Sequence, residues 1–176
     1  GGRPINALTT AFTNLGKGYA GPIPVPVIIF AIVALISWFF LAKTQFGRYI
    51  YAIGGNEKAA LVSGLRVKQL KFLSYVINGM TAALAGILLA ARVAVGSPTA
   101  GESYDLLAIT AVVVGGTSNA GGTGGILPSI IGVFIVTVMN NGMDLLGISG
   151  YYQKIVTGVV VLLAVIIDRN NVNRNH

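Results

Sequence analysis

From Leu106 to Met143 the chain runs for thirty-eight residues without a charged side chain. Two further stretches, Ile23–Ala42 and Phe72–Ala91, each run for twenty. At 1.5 Å per residue, a twenty-residue helix covers about 30 Å, the hydrocarbon core of one bilayer. Such runs leave few folds open, and composition narrows them further. Charged residues make up 10% of the chain, against about 25% in a soluble domain. Glycine is 24 of 176 residues, but no Gly-X-Y period accompanies it, and the 54% hydrophobic content argues against disorder. The expected fold class is all-α: a polytopic transmembrane bundle of about five segments, one of them short or discontinuous.

Span A is Ile23–Ala42, with Pro24 and Pro26 at its start, where proline is tolerated, and Trp38 as an interface anchor. Span B is Phe72–Ala91. Its pairs Gly79/Ala83 and Ala82/Gly86 have the small-xxx-small spacing that lets helix backbones approach. The thirty-eight-residue run is too long for one span. It breaks at Gly115–Gly125, where eleven residues include six glycines. Span C is therefore about Leu106–Val114 and span D about Ile126–Asn141. Span C is short, and irregular backbone at membrane depth needs burial in protein or a polar cavity. Span E is about Ile148–Ile167, with Lys154 near its start and able to snorkel.

Lysine and arginine set the orientation. The A–B loop, 43–71, holds Lys43, Arg48, Lys58, Arg66, Lys68 and Lys71 against Glu57 alone. The tail after span E, 169–176, holds Arg169 and Arg174. The B–C loop carries Glu102 and Asp105, with Arg92 at its membrane edge, and the D–E turn carries Asp144. The positive-inside rule puts the A–B loop and the C-terminus in the cytoplasm. Five crossings that start outside also end inside, provided span C counts as one. The expected organisation is an external loop over 1–22, a membrane domain over 23–168 with its cytoplasmic loop at 43–71, and a cytoplasmic tail. The opening Gly1-Gly2-Arg3-Pro4 has no Met and does not read as a signal peptide. It suggests a piece of something longer.

Several chemistries lack their residues. There is no Cys, and the one His is His176, so thiolate metal sites and a Ser-His-Asp triad are not expected. Gly116-Thr-Ser-Asn-Ala-Gly121 has the glycine spacing of a phosphate loop, but Gly122 stands where the lysine belongs. An ATP site within the chain is therefore not expected. The net charge of +7 is accounted for by cytoplasmic flanks rather than by a nucleic-acid partner. A membrane enzyme would need a polar catalytic group near a span. The candidates are Glu102, Asp105 and Asp144, which read as solvated loop charges.

Two groups of residues stand out. In the basic loop, Asn56 is a good helix N-cap, and Glu57 in the first turn complements the helix dipole. Ala59, Ala60, Leu61 and Val62 follow, and Gly64 is a plausible stop. The result is a short capped helix able to present Ala60 and Leu61 to a partner's groove, or merely to close a loop. The second group is polar residues within spans: Asn78 and Thr81 in B, Thr110 in C, and Thr137, Asn140 and Asn141 in D. They suit either a translocation path or helix–helix hydrogen bonding. No mid-span charge offers a proton relay.

Several strings also carry a resemblance. Gly47-Arg48-Tyr49-Ile50-Tyr51-Ala52-Ile53-Gly54-Gly55-Asn56-Glu57 resembles the permease subunit of ribose-type ABC importers. So do Pro98-Thr99-Ala100-Gly101, the run Ala111–Ser118, and Asn140-Asn141-Gly142 with Tyr151-Tyr152-Gln153. The resemblance runs from about Gly47 to Asp168 and implies the C-terminal half of such a subunit. It implies a homodimer in the lipid of the bacterial inner membrane, fed by a periplasmic sugar-binding protein and driven by a cytoplasmic ATPase that holds the ATP, with no cofactor of its own. Carried onto this chain, the ATPase-coupling residues are Gly55, Asn56, Glu57, Ala60, Leu61 and Gly64, and Asn78, Thr81, Thr110, Asn140 and Asn141 are path candidates. The solute implied is ribose or a related monosaccharide. A membrane scaffold, or a truncated remnant that moves nothing, is the alternative.

Overall fold

The computed structural model describes residues 9–174, and within 167 and 169–174 the backbone alone. The expectations placed on Gly1–Pro4 and His176, and on the side chains of Arg169 and Arg174, lie outside it. Among the described residues there are eight α-helices and one two-stranded hairpin, so the fold is all-α in substance. Three of the helices are long and apolar enough to cross a membrane: α2 (Val25–Lys43), α5 (Val67–Val93) and α7 (Ile126–Leu145). Two shorter apolar helices accompany them, α6 (Tyr104–Val114) and the apolar part of α8 (Gly150–Arg174). These five match spans A to E in order.

The chain divides into two compact units, Gly1–Ser37 with Lys68–Glu102, and Trp38–Val67 with Ser103–His176. In the first, α1 (Thr10–Lys17) leads into the hairpin β1 (Tyr19–Ala20) and β2 (Ile23–Pro24). The described part of the segment expected as an external loop thus holds a helix and the first strand of a hairpin, whose second strand takes the first two residues expected in span A. The hairpin's two-residue turn is Gly21-Pro22, with Gly21 at φ +68°. Glycine with positive φ at the first central position is the demand of a type II′ hairpin turn. Gly16 of α1 is buried, and a Cβ there would collide with the backbone of Ala91 and Arg92. α1 therefore lies directly on the end of α5, where Ala91 is fully buried. Between its two ends α5 has no buried residue. A Cβ placed on Gly79 or Gly86 would meet nothing within 4 Å, so the small-xxx-small stripe packs against nothing among the described residues.

In the second unit, α6 packs against both α7 and α8. Thr110, Ala111 and Val113 of α6 are buried, as are Gly132, Val136 and Met143 of α7 and Thr157 of α8. The α6–α7 contact is backbone on backbone. A Cβ on Gly132 would strike the Ala111 carbonyl oxygen and come within 2.7 Å of the Gly115 nitrogen. This is the use of small residues that membrane helices favour. α6 ends in a Schellman motif: Thr117 N–H donates to Val112 O at 3.1 Å and Gly116 N–H to Val113 O at 2.9 Å, with Gly116 at φ +93°. That left-handed residue is what stops the helix and starts the glycine loop.

Candidate functional site

The A–B loop is more ordered than a charge count implies. It opens with α3 (Gln45–Gly55), whose N-cap Thr44 accepts from Gly47 N–H at 3.4 Å. A Cβ on Gly47 would overlap the Leu41 carbonyl, so the chain turns sharply out of α2. Beside that turn, Lys43 Nζ lies 5.8 Å from the centre of the Trp38 ring, within cation–π range.

α4 (Glu57–Val62) follows at once. Asn56 ends α3, donating its N–H to Ala52 O at 3.0 Å, and begins α4, accepting from Ala59 N–H at 3.0 Å through Oδ1. The expected cap is therefore in place. At the other end Leu65 N–H reaches Ala60 O at 3.2 Å and Gly64 N–H reaches Leu61 O at 3.0 Å, with Gly64 at φ +81°. The expected glycine stop is a second Schellman motif.

One detail differs. Ala60 is 5% exposed and faces inward, whereas Leu61 is 63% and Val62 88% exposed. The apolar surface that α4 presents is thus Leu61 with Val62, not Ala60 with Leu61. In so short a helix, with positions 100° apart, the sequence pattern alone does not say which side is covered.

α4 packs against α3, and α3 in turn lies on the glycine loop of the same unit. A Cβ on Gly54, near the C-terminal end of α3, would come within 2.6 Å of the Gly122 nitrogen. A Cβ on Gly122 would come within 2.8 Å of the Gly55 Cα, so Gly55 sits in this seat and not in the turn after it. Tyr51 Oη donates to Gly124 O at 2.8 Å. On its far flank the loop is held by α8. Asp168 Oδ2 accepts from Ser118 Oγ at 2.8 Å and from Asn119 N–H at 3.1 Å. Ser118 is buried, and its Oγ also accepts from Ala120 N–H at 3.2 Å. The A–B loop, the C–D loop and the end of span E therefore meet at one end of the unit. An odd number of crossings predicts that meeting, with α6 counted as one of them.

At the opposite end, Gln153 Nε2 donates to Asp144 Oδ1 at 2.7 Å and to Ile148 O at 2.9 Å. This ties the start of α8 to the α7–α8 turn. The acidic residue of the D–E turn is thus a structural acceptor.

The polar span residues are not gathered in one place. Asn78 and Thr81 belong to the first unit, and both are exposed. Thr81 Oγ1 donates back to Asn78 O at 2.9 Å. Thr110, Asn140 and Asn141 belong to the second. Thr110 is wholly buried and bonds its own helix at Leu106 O, 2.6 Å away, so in this unit it serves the core and not an open surface. Asn140 is half-buried and Asn141 exposed. Sequence reasoning does not single out Tyr51, Gly54, Ser118, Thr157 or Asp168. Tyr51 and Gly54 lie inside a string whose only signal is its resemblance.

The model of the family described as "Branched-chain amino acid transport system / permease component" matches residues 3–165. The chain belongs to this permease family. It is 51% identical to the ribose import permease protein RbsC of Bacillus subtilis (strain 168) over 170 residues, covering 96% of this chain and 53% of that protein. Against the ribose import permease protein RbsC of Escherichia coli (strain K12) it is 48% identical over 171 residues, 95% of this chain and 53% of the relative. The xylose transport system permease protein XylH of Haemophilus influenzae is 45% identical over 149 residues, 85% of this chain and 40% of the relative. The chain spans about half the length of these curated relatives. No solved structure matches it.

Proposed function

We propose that this chain is the membrane-embedded, C-terminal part of the permease of an ATP-driven importer, and that the solute is ribose or a related monosaccharide. The observation that carries the reading is α4. It is a helix capped at both ends, with Leu61 and Val62 exposed and with the basic residues Lys58 and Arg66 close by in the sequence. Rigid, apolar-tipped and positive at its margin, it is suited to enter a groove on a partner. In this reading the partner is a cytoplasmic ATPase that carries the nucleotide, and Gly55, Asn56, Glu57, Ala60, Leu61 and Gly64 build the docking element. Asn56 and Gly64 set its ends, Gly55 and Ala60 seat it, and Leu61 fills the groove together with Val62.

Sugar is delivered by a periplasmic binding protein, the permease works as a homodimer in the inner membrane, and the C-terminus is cytoplasmic. The lysines and arginines of 43–71 support that orientation. Asn78, Asn140 and Asn141 are the better path candidates, since neutral amides can exchange hydrogen bonds with sugar hydroxyls without a buried charge. Thr81 is a weaker one, because its hydroxyl is already bonded to its own helix. Thr110 joins them only if the unit opens.

The test is uptake of labelled ribose by proteoliposomes that hold the full-length permease with its ATPase and binding protein. ATP-dependent uptake is expected, with loss of ATPase co-purification when Leu61 and Val62 are both replaced by Asp. Uptake without ATP, or none in the presence of all three components, overturns the reading.

A further inference from the structure

The glycine loop between α6 and α7 is held from two sides within its unit, by α3 and by α8. α3 rests on it through Gly54, Gly121 and Gly122, at distances that leave no room for a side chain, with Gly55 against Gly122 in the same seat. Tyr51 is hydrogen-bonded to Gly124 O. α8 grips its other flank through Asp168, whose one oxygen takes both the Ser118 hydroxyl and the Asn119 N–H. A carboxylate as acceptor makes these the stronger kind of hydrogen bond.

We propose that this loop is the joint by which movement of α4 reaches α6, α7 and α8, and that Ser118 and Asp168 are positioning residues that hold the joint to α8. The proposal rests on the reading of α4 as the docking element for an ATPase.

The reasoning is mechanical. α4 is continuous with α3 through Asn56, which caps both. A push on α4 is therefore a push on α3. By covalent connection α3 leads back to α2, and α4 leads on to α5. α6, α7 and α8 lie elsewhere in the sequence, and the hydrogen bond that α3 makes to them ends on this loop. The loop continues directly into α7, where Ser129 Oγ donates to Gly125 O at 2.8 Å and pairs with Thr117 Oγ1 at 3.3 Å. It is closed on itself by Ser118 N–H to Thr123 O at 3.2 Å. Seat, closure and clamp make it a body that transmits displacement instead of absorbing it. Released from Asp168, it can follow α3 while α8 stays behind.

The absence of cysteine from this chain makes the test direct. The double substitution S118C/D168C is placed in the full-length permease, in a cysteine-free background, and reconstituted with its ATPase and binding protein. Two rates are read, ATP hydrolysed and sugar taken up. With thiols reduced, ATP consumed per sugar is expected to rise by at least about five-fold, the low end of ordinary coupling between sites. Joining the two thiols with a short bifunctional reagent is expected to return the ratio to near the wild-type value. A merely structural loss would not be repaired by a cross-link at that one point. D168N keeps an acceptor oxygen without the charge, and a ratio between wild type and the reduced double variant is expected for it. It also serves if S118C/D168C fails to fold.

An unchanged ratio in the reduced variant, or a raised ratio that cross-linking leaves untouched, overturns the joint. A wild-type complex without ATP-dependent uptake instead overturns the permease reading, so the two failures are distinguishable.

Discussion

The longest described helix of this chain packs sparsely, and the shortest apolar one packs densely. α5 has 27 residues and buries Val67 and Ala91, at its two ends. α6 has 11 and buries Thr110, Ala111 and Val113, three of its last five residues. Hydrophobicity does not decide it, since α2 is the most apolar of the three long helices and buries no residue. α6 meets α7 through glycine and alanine backbone, at distances no larger residue can adopt. α5 has glycines too, at 79 and 86, but among the described residues they face nothing. Apolarity places a helix in a membrane; close approach of backbones decides what it holds on to there.

The contrast can be broken most sharply at Gly132. Gly132→Leu forces a side chain into the Ala111 carbonyl, and a loss of about 3 kcal/mol or more is expected, the upper range for overpacking. Its measure is the melting midpoint of the detergent-solubilised protein. Next comes Ala60→Pro in α4. It removes the N–H that donates to Asn56 O at 3.0 Å and is expected to cost about 3 kcal/mol within the helix. Uptake should fall to background while folded protein is retained. Glu57→Pro, at the first helical position where proline is accepted, should spare far more of it. Normal uptake by Ala60→Pro would mean that α4 is not a lever. Asn56→Ala should cost about 1 kcal/mol through the lost cap, read as faster amide exchange in α4. Smallest is Gly79→Leu, expected to stay within about 0.5 kcal/mol in this chain because the position is open. A large effect of the same substitution in the full-length complex would sharpen the contrast, by showing that a partner covers α5 there.

The membrane segments are legible in the sequence because charge exclusion is a strong and local signal. Their ends are less so. α5 begins at Val67, ahead of Lys68 and Lys71, because lysine is a good helix former and charge marks the bilayer edge rather than the helix end. α3 has a local signal in its Thr44 cap, but its charged and glycine residues read as loop. The ends of α4 follow from Asn56 and Gly64, whose backbone demands are local. Its covered side does not follow, because that depends on how α3 packs against it. The joint itself is out of reach of pattern. Tyr51 pairs with Gly124 across 73 positions, and Ser118 with Asp168 across 50. No periodicity links residues that far apart.

The seat of α3 on the glycine loop has a thermal consequence. Joints built from long side chains soften on warming, as rotamers regain their freedom. Between Gly54 and Gly122 there are no side chains to melt. Backbone meeting backbone has only its own few torsions to release. The stiffness of this contact should therefore change little over the range in which the surrounding lipid goes from ordered to fluid.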